Sequence, residues 1–275
     1  VSPSRGLGDV YKRQVTSQSI FPAQHHSRAS ILAREEMVVC GLEIAERVFQ
    51  RVDPALTVHR EAADGDRLAQ GDTVLRVEGP TISVLMAERT ALNFLQRLSG
   101  IASLSAQYAD AARETGTGVR IVDTRKTTPG WRALEKYAVR CGGCFNHRIS
   151  LGEHVLIKDN HITAAGSLTR AVELTRRHAP HTAKIEVETE SLEQVSEALE
   201  AGAEVIMLDN MSPAKIQEAT DLIDRAAIVE ISGGVTLATI PDFALPGVDV
   251  ISVGALTHSA PAADFSMILY PDTAR

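Results

Sequence analysis

The sequence predicts an α/β protein in which a mixed α+β region precedes a parallel β/α barrel. Three observations carry that expectation. After Val119, short apolar strands recur with helical stretches between them, the pattern of βα units on a parallel sheet. Those strands end in charged, hydroxyl or glycine residues, as strands do at the mouth of a barrel. No glycine-rich dinucleotide fingerprint follows the first of them, which counts against an open doubly wound sheet. Six such strands are legible rather than eight, so either the barrel is incomplete or further strands escape the pattern.

Composition narrows the function classes. The chain has 275 residues, 44% hydrophobic and 23% charged, with a formal net charge of -7. A pI near 5.7 and 4% aromatic residues argue against nucleic-acid binding. No apolar run approaches the roughly 18 residues of a membrane span. Three cysteines suit a reducing compartment, and a cytoplasmic protein is expected.

In chain order, residues 1 to about 14 (VSPSRGLGDVYKRQ) lack periodicity and read as a leader foreign to the rest of the chain. RASILAR (28–34) alternates as a strand should. After Gly41, Leu42, Ile44, Ala45 and Val48 share one helical face. Residues 56–60 and TVLRVE (73–78) read as strands. Thr81 to about Glu114 is helical in composition, and Gly100 is expected to break it in two. Arg89, judged by its surroundings, reads as a surface or salt-bridging residue. The barrel strands are expected at 119–123, 155–158, 185–188, 205–209, 228–231 and 248–253, with helices near 131–140, 167–178, 191–201, 213–225 and 235–243. The piece Phe265 to Leu269 alternates again and is expected to pair with the first region.

The chemistry concentrates between Asp123 and His161. That stretch holds Arg125, Lys126, Arg132, Lys136, Arg140, His147, Arg148 and Lys158 against four acids. A cationic segment in an acidic protein points to a local anion site. Later, Ser232-Gly233-Gly234 and Gly254-Ala255 follow consecutive strands, where glycines let backbone N–H groups approach a phosphate. Glu188 and Asp209 end neighbouring strands. Their carboxylates suit Mg²⁺ held through water, sugar hydroxyls, or a developing positive charge on a ribose; ion pairs with nearby cations are the plainer alternative. Cys141 and Cys144 with His147 lack the fourth ligand of a structural zinc site. Lys158 closes an apolar strand and suits either a Schiff base or an anion contact.

The ordered set ERTALNFLQRLSGIAS, DTRKTTPGWRALEKYAVRCGG, NHR, LIKDNHI, IEVE, MLDN, SGG and VGALTHS resembles the quinolinate phosphoribosyltransferase family. The resemblance runs from about Val15 to Ser259. It implies an N-terminal α/β sandwich domain (1–100, joined by 261–275) and an open β/α barrel (101–260). It implies transfer from 5-phosphoribosyl 1-pyrophosphate to quinolinate with Mg²⁺, and loss of CO₂. It also implies a homodimer, with Arg89 reaching quinolinate across the interface. Residue by residue, it puts Arg125, Lys126, His147, Arg148 and Lys158 around the quinolinate carboxylates and pyrophosphate. Glu188 and Asp209 face ribose and metal, and Ser232, Gly233, Gly254 and His258 bind phosphate. Lys126, Glu188 and Asp209 are the catalytic expectation. The chain departs from the family pattern at Cys144, where a third glycine is usual and a left-handed backbone would add strain of order 1 kcal/mol. Ile149-Ser150 and the leader are the other departures.

Overall fold

Strand β1 (His26–Ala33) alternates exposed and buried positions, with Ser27, Ala29, Ile31 and Ala33 turned inward. That period of two is what a half-buried strand requires. The structure is a computed structural model that describes residues 14–271; apart from Gln14, the expected leader lies outside the described residues. Two compact units divide the chain, Val1–Leu104 with Ala260–Arg275, and Ser105–Ser259.

In the first unit a short helix α1 (Val15–Ile20) precedes β1. After β1 come β2 (Met37–Val38), helix α2 (Leu42–Val52), β3 (Thr57–Arg60), β4 (Arg67–Leu68) and β5 (Thr73–Pro80). The last strand of the chain, β12 (Phe265–Pro271), joins them in an antiparallel sheet of order β12-β1-β5-β3. The expected return of the tail is therefore present, with Ala29 opposite Leu269. Helix α2 buries Leu42, Ala45, Val48 and Phe49. These meet Ile31, Leu75 and Val77 of the sheet and Leu95 of the long helix in one apolar core.

That long helix, α3 (Thr81–Glu114), is continuous over 34 residues, so the expected break at Gly100 is absent. Gly100 has a different use. A Cβ there would lie 1.8 Å from the Pro261 carbonyl oxygen, so the glycine admits a close pass of the returning chain. Ser99 and Ser103 accept hydrogen bonds from the backbone N–H groups of Cys40 and Val38 (2.9 and 2.8 Å), which satisfies donors near β2.

The second unit repeats the βα step. Its elements are β6 (Arg120–Val122), α4 (Arg132–Cys141), β7 (Val155–Ile157), α5 (Asp159–Ala165), α6 (Leu168–His178), β8 (Ile185–Thr189), α7 (Leu192–Glu200), β9 (Val205–Asp209), α8 (Pro213–Ile223), β10 (Ile228–Ser232), α9 (Ile240–Phe243), β11 (Val250–Ser252) and α10 (Ala255–His258). Six parallel strands form one sheet in the order β6-β11-β10-β9-β8-β7. Among the described residues β6 and β7 stand at its two edges, which matches the six strands legible in the sequence. Ser167, Ser191 and Ser212 each cap the following helix by accepting a backbone N–H. Helices α5 and α10 are the two βα helices missing from the sequence reading. Helix α5 comes first in the chain. It starts directly at Asp159, with Lys158 N–H donating to His161 Nδ1 at 2.9 Å.

Candidate active site

The carboxyl ends of the six strands surround a cavity of about 520 Å³. Residues two apart on a strand share a face, and this builds the wall in two layers. Glu188 and Ser232 lie in the upper layer, with Glu186 and Glu230 beneath them. Asp209 ends β9 directly opposite Ser232. The loop after β6 supplies Arg125 and Lys126, the loop after α4 supplies His147 and Arg148, and β7 hands over to Lys158. Ten of the sequence-predicted residues thus line one space: Arg125, Lys126, His147, Arg148, Lys158, Glu188, Asp209, Ser232, Gly233 and, by the same loop, Gly234.

Electrostatics point the same way. Burial lowers the Arg148 guanidinium, and the neighbouring Arg125 cation lowers it further. Two cations that repel each other across a cavity leave a place that an anion stabilises. Lys158 Nζ is ion-paired with Glu188, so the plainer reading of that carboxylate is realised while both groups still face the cavity. At Gly233, with φ +93, a Cβ would meet Asn210 Oδ1 at 2.2 Å. The SGG turn therefore needs glycine there, and its backbone is open to the cavity.

The cations of the 123–161 stretch do not all share one task. Lys136 is buried and ion-paired with Asp123, which is fully buried at the end of β6. Lys136 also donates to the His147 carbonyl at 2.8 Å. Asp123 accepts from Asn146 Nδ2 (2.6 Å) and from the His147 N–H (2.9 Å). Burial raises the Asp123 carboxyl, while Lys136, Asn146 and the His147 N–H oppose that rise. This clasp fixes the backbone that carries His147 and Arg148. Glu135, also fully buried, accepts from the Thr128 N–H (3.0 Å) and hydroxyl (2.8 Å), and Arg132 donates to Thr127 Oγ1 (3.0 Å) and to the Arg125 carbonyl (3.3 Å). Together they hold the loop bearing Arg125 and Lys126. Arg140 instead lies over the Phe145 ring at 4.9 Å. The sequence reading missed Asp123, Glu135 and Lys136 as a scaffold. The available signal was a pair of opposite charges inside a segment that must be buried on one side.

Gly254 and His258 do not line the cavity, yet they adjoin Lys126. A Cβ on Gly254 would lie 3.1 Å from His258 Nε2 and 3.2 Å from Lys126 Cδ. Thr257, between them, donates its hydroxyl to the Lys126 carbonyl at 2.7 Å. Arg89 is exposed on α3, in the other unit, and is not among the cavity residues. Cys144 carries no strained backbone, because Gly143 takes the positive φ (+89). Its thiol donates to the Ser105 carbonyl (3.1 Å), and burial, then the Asp123 charge, pushes it up to about 12. A thiol so held is inert.

Below the upper layer lies a second cluster. His147 Nε2 is 3.5 Å from Glu186 Oε2 and 3.4 Å from Glu230 Oε1, and His154 Nε2 is 3.3 Å from Glu186 Oε2. Burial lowers His147, but the two carboxylates outweigh it and bring it up to about 9. Burial raises Glu186, but His147 and His154 outweigh it and bring it down to about 2. Glu230 is raised, first by burial, with the Glu186 charge adding to it. A larger cavity, about 930 Å³, opens beside this cluster at the amino ends of the strands. Parallel barrels place their chemistry at the carboxyl ends, so the smaller cavity is the candidate active site.

Comparison with known proteins gives concordant matches. The family described as quinolinate phosphoribosyl transferase matches over both of its domains, the N-terminal one at residues 14–99 and the C-terminal one at 101–268. A probable nicotinate-nucleotide pyrophosphorylase [carboxylating] of Bacillus subtilis (strain 168) is 42% identical over 261 residues, 95% of this chain and 89% of that protein. The nicotinate-nucleotide pyrophosphorylase [carboxylating] of Homo sapiens is 40% identical over 247 residues, 89% of this chain and 82% of that protein. The crystal structure of NadC from Streptococcus pyogenes superposes with a TM-score of 0.91 at 44% identity, covering 96% of this chain and 93% of that one.

Proposed function

This chain belongs to the quinolinate phosphoribosyltransferase family, and from that premise we propose how its cavity carries out the family's reaction. The enzyme transfers the phosphoribosyl group of 5-phosphoribosyl 1-pyrophosphate to quinolinate with decarboxylation, giving nicotinate mononucleotide, pyrophosphate and CO₂ in NAD biosynthesis. The observation that carries the site assignment is convergence. In a chain of net charge -7, Arg125, Lys126, Arg148 and Lys158 meet at one cavity that Glu188 and Asp209 also face.

Both substrates are anions, and bringing them together costs Coulomb energy that cations must offset. Arg125 and Arg148 present planar forks suited to the pyridine carboxylates, while Lys126 and Lys158 act as point charges toward carboxylate and pyrophosphate. As the bond from ribose C1 to pyrophosphate breaks, its electron pair leaves on pyrophosphate and C1 becomes oxocarbenium-like. Glu188 and Asp209 face that charge and the ribose hydroxyls. The pyridine nitrogen then bonds to C1. Its positive charge stabilises the electron pair left on the adjacent carbon as CO₂ departs, and that carbon takes up a proton. The 5-phosphate is assigned to the side of Ser232 and Gly233, with Gly254 and His258 adjoining the cavity through Lys126.

The donor set fits Mg²⁺, since Glu188 and Asp209 offer hard carboxylate oxygens toward a cavity with room for water. Mg²⁺ held there would offset pyrophosphate charge. We further assign a homodimer in which Arg89 of one subunit completes the site of the other, supported by the exposure of Arg89 on α3. A cytoplasmic location is supported by the low and odd cysteine count, three in 275 residues, and no helix among the described residues is long and apolar enough to cross a membrane. The deciding assay follows CO₂ and nicotinate mononucleotide from quinolinate, phosphoribosyl pyrophosphate and Mg²⁺. Equal amounts of both products are expected; phosphate binding without pyrophosphate release would reduce the protein to a binding module.

A further inference from the structure

We propose that His147, His154 and Glu186 form a site for a divalent transition cation, zinc being the best fit, in the interior of the second unit beneath the active-site cavity. It shares His147 with the wall of that cavity, but supplies no step of the phosphoribosyl chemistry above.

The first observation is spacing. One nitrogen of each histidine and one oxygen of Glu186 all lie within 4.8 Å of one another. The two His–Glu186 separations are 3.5 and 3.3 Å. Charge-assisted N–H···O bonds run about 2.7–2.9 Å, so these contacts are long for ion pairs. They are the right length for the edge of a tetrahedron: ligands about 2.0–2.1 Å from a central zinc lie roughly 3.3–3.4 Å apart. Two histidines and one glutamate also make a known zinc set that leaves a fourth position open for water.

The second observation is unmet demand for positive charge. Glu186 Oε1 and Glu230 Oε1 are buried and have no hydrogen-bond partner within the protein, in residues only 2% and 4% exposed. Glu230 Oε1 lies 3.4 Å from His147 Nε2, placed to accept from a water in the open position. Two buried carboxylates, each with an oxygen that accepts no hydrogen bond, carry a large desolvation cost that His147 and His154 offset in part, and a dication would offset more of it. Entry is available from the amino-end cavity, which both His154 and Glu186 line.

Binding also makes a demand on the protein. The Arg148 N–H donates to His147 Nδ1 at 2.8 Å, while Nε2 faces Glu186 and Glu230. A cation at Nε2 needs that nitrogen deprotonated and the ring proton on Nδ1, so the Arg148 N–H must turn away. The gain is mechanical. The cation would tie the loop after α4, which already bridges to β6 through Phe145, and the segment before β7 to β8.

The test uses full-length protein stripped with EDTA, desalted, and titrated with Zn²⁺ under excess Mg²⁺ so that Glu188 and Asp209 are occupied. One Zn²⁺ per chain is expected, together with a raised thermal midpoint and, on Co²⁺ substitution, the intense visible absorption of a four-coordinate ion. His154→Ala, at a partly exposed ring, and Glu186→Gln are each expected to weaken Zn²⁺ binding at least tenfold and to abolish the thermal shift. Absence of Zn²⁺ uptake by the wild type overturns the proposal, as does undiminished uptake by a folded His154→Ala protein.

Discussion

At the scale of single residues, the site separates groups that face the cavity from groups that hold them there. Lys126 and Arg148 belong to the first kind, and removing a charge-assisted hydrogen bond to a substrate anion costs about 1.5–3 kcal/mol. Lys126→Ala and Arg148→Ala are each expected to lower kcat/KM about 10- to 150-fold for every such hydrogen bond removed, with far-UV circular dichroism unchanged. Wild-type turnover in either would remove that residue from the site. Asp123 and Lys136 belong to the second kind. Asp123→Asn leaves the Lys136 ammonium buried without its counter-charge, a change that costs about 3–5 kcal/mol. Urea unfolding should show that loss, and Asp123→Asn with Lys136→Met should recover most of it, because the orphaned charge goes too. Turnover is not expected to recover in the double variant, since asparagine keeps one acceptor oxygen where Asp123 uses two, for the Asn146 side-chain amide and the His147 N–H, and Lys136→Met also removes the donor to the His147 carbonyl. A double variant as unstable as the single one would show that the pair is not what holds this loop.

At the scale of elements, the βα units were legible because each strand is an apolar run closed by a polar residue, and each of three helices opens on a serine cap. Local chemistry suffices for such features. It does not suffice where the deciding partner is distant in sequence. His154 and Glu186 are 32 positions apart, and no spacing rule joins them. Asp123 and Lys136 share only a charge pattern until the sheet buries them. Gly100 shows the limit most clearly. Helix propensity disfavours glycine by about 1 kcal/mol relative to alanine, so the residue reads as a breaker. Its reason lies at Pro261, more than a hundred positions on. The prediction for Gly100→Ala therefore sets two effects against each other. Propensity favours the variant by about 1 kcal/mol, while the 1.8 Å approach to a backbone carbonyl forces the returning segment to move, an overpacking cost of about 1–3 kcal/mol or more. Net destabilisation in urea is expected, and a more stable variant would mean that the Pro261 pass is loose.

At the scale of the whole molecule, one assigned residue stands apart from the rest. Arg89 lies in the first unit, while Lys158 and the other cavity cations lie in the second. If a site takes its barrel from one subunit and Arg89 from the partner, each single variant has two defective sites per dimer, but the defects sit on different chains. Mixing Arg89→Ala with Lys158→Ala after reversible dissociation gives, by random pairing, about half mixed dimers. In each mixed dimer one site combines the intact Lys158 of the first variant with the intact Arg89 of the second, and its other site carries both lesions. Recovery of about one quarter of wild-type turnover is therefore expected, rising with time as subunits exchange. An unmixed pair of solutions, assayed separately and summed, supplies the baseline. Subunit exchange verified by mass, without recovery above that baseline, would mean that Arg89 acts within its own chain or not at all. Recovery near the quarter mark would make the dimer a requirement of the chemistry, because neither chain alone would then hold every cation that the two anionic substrates require.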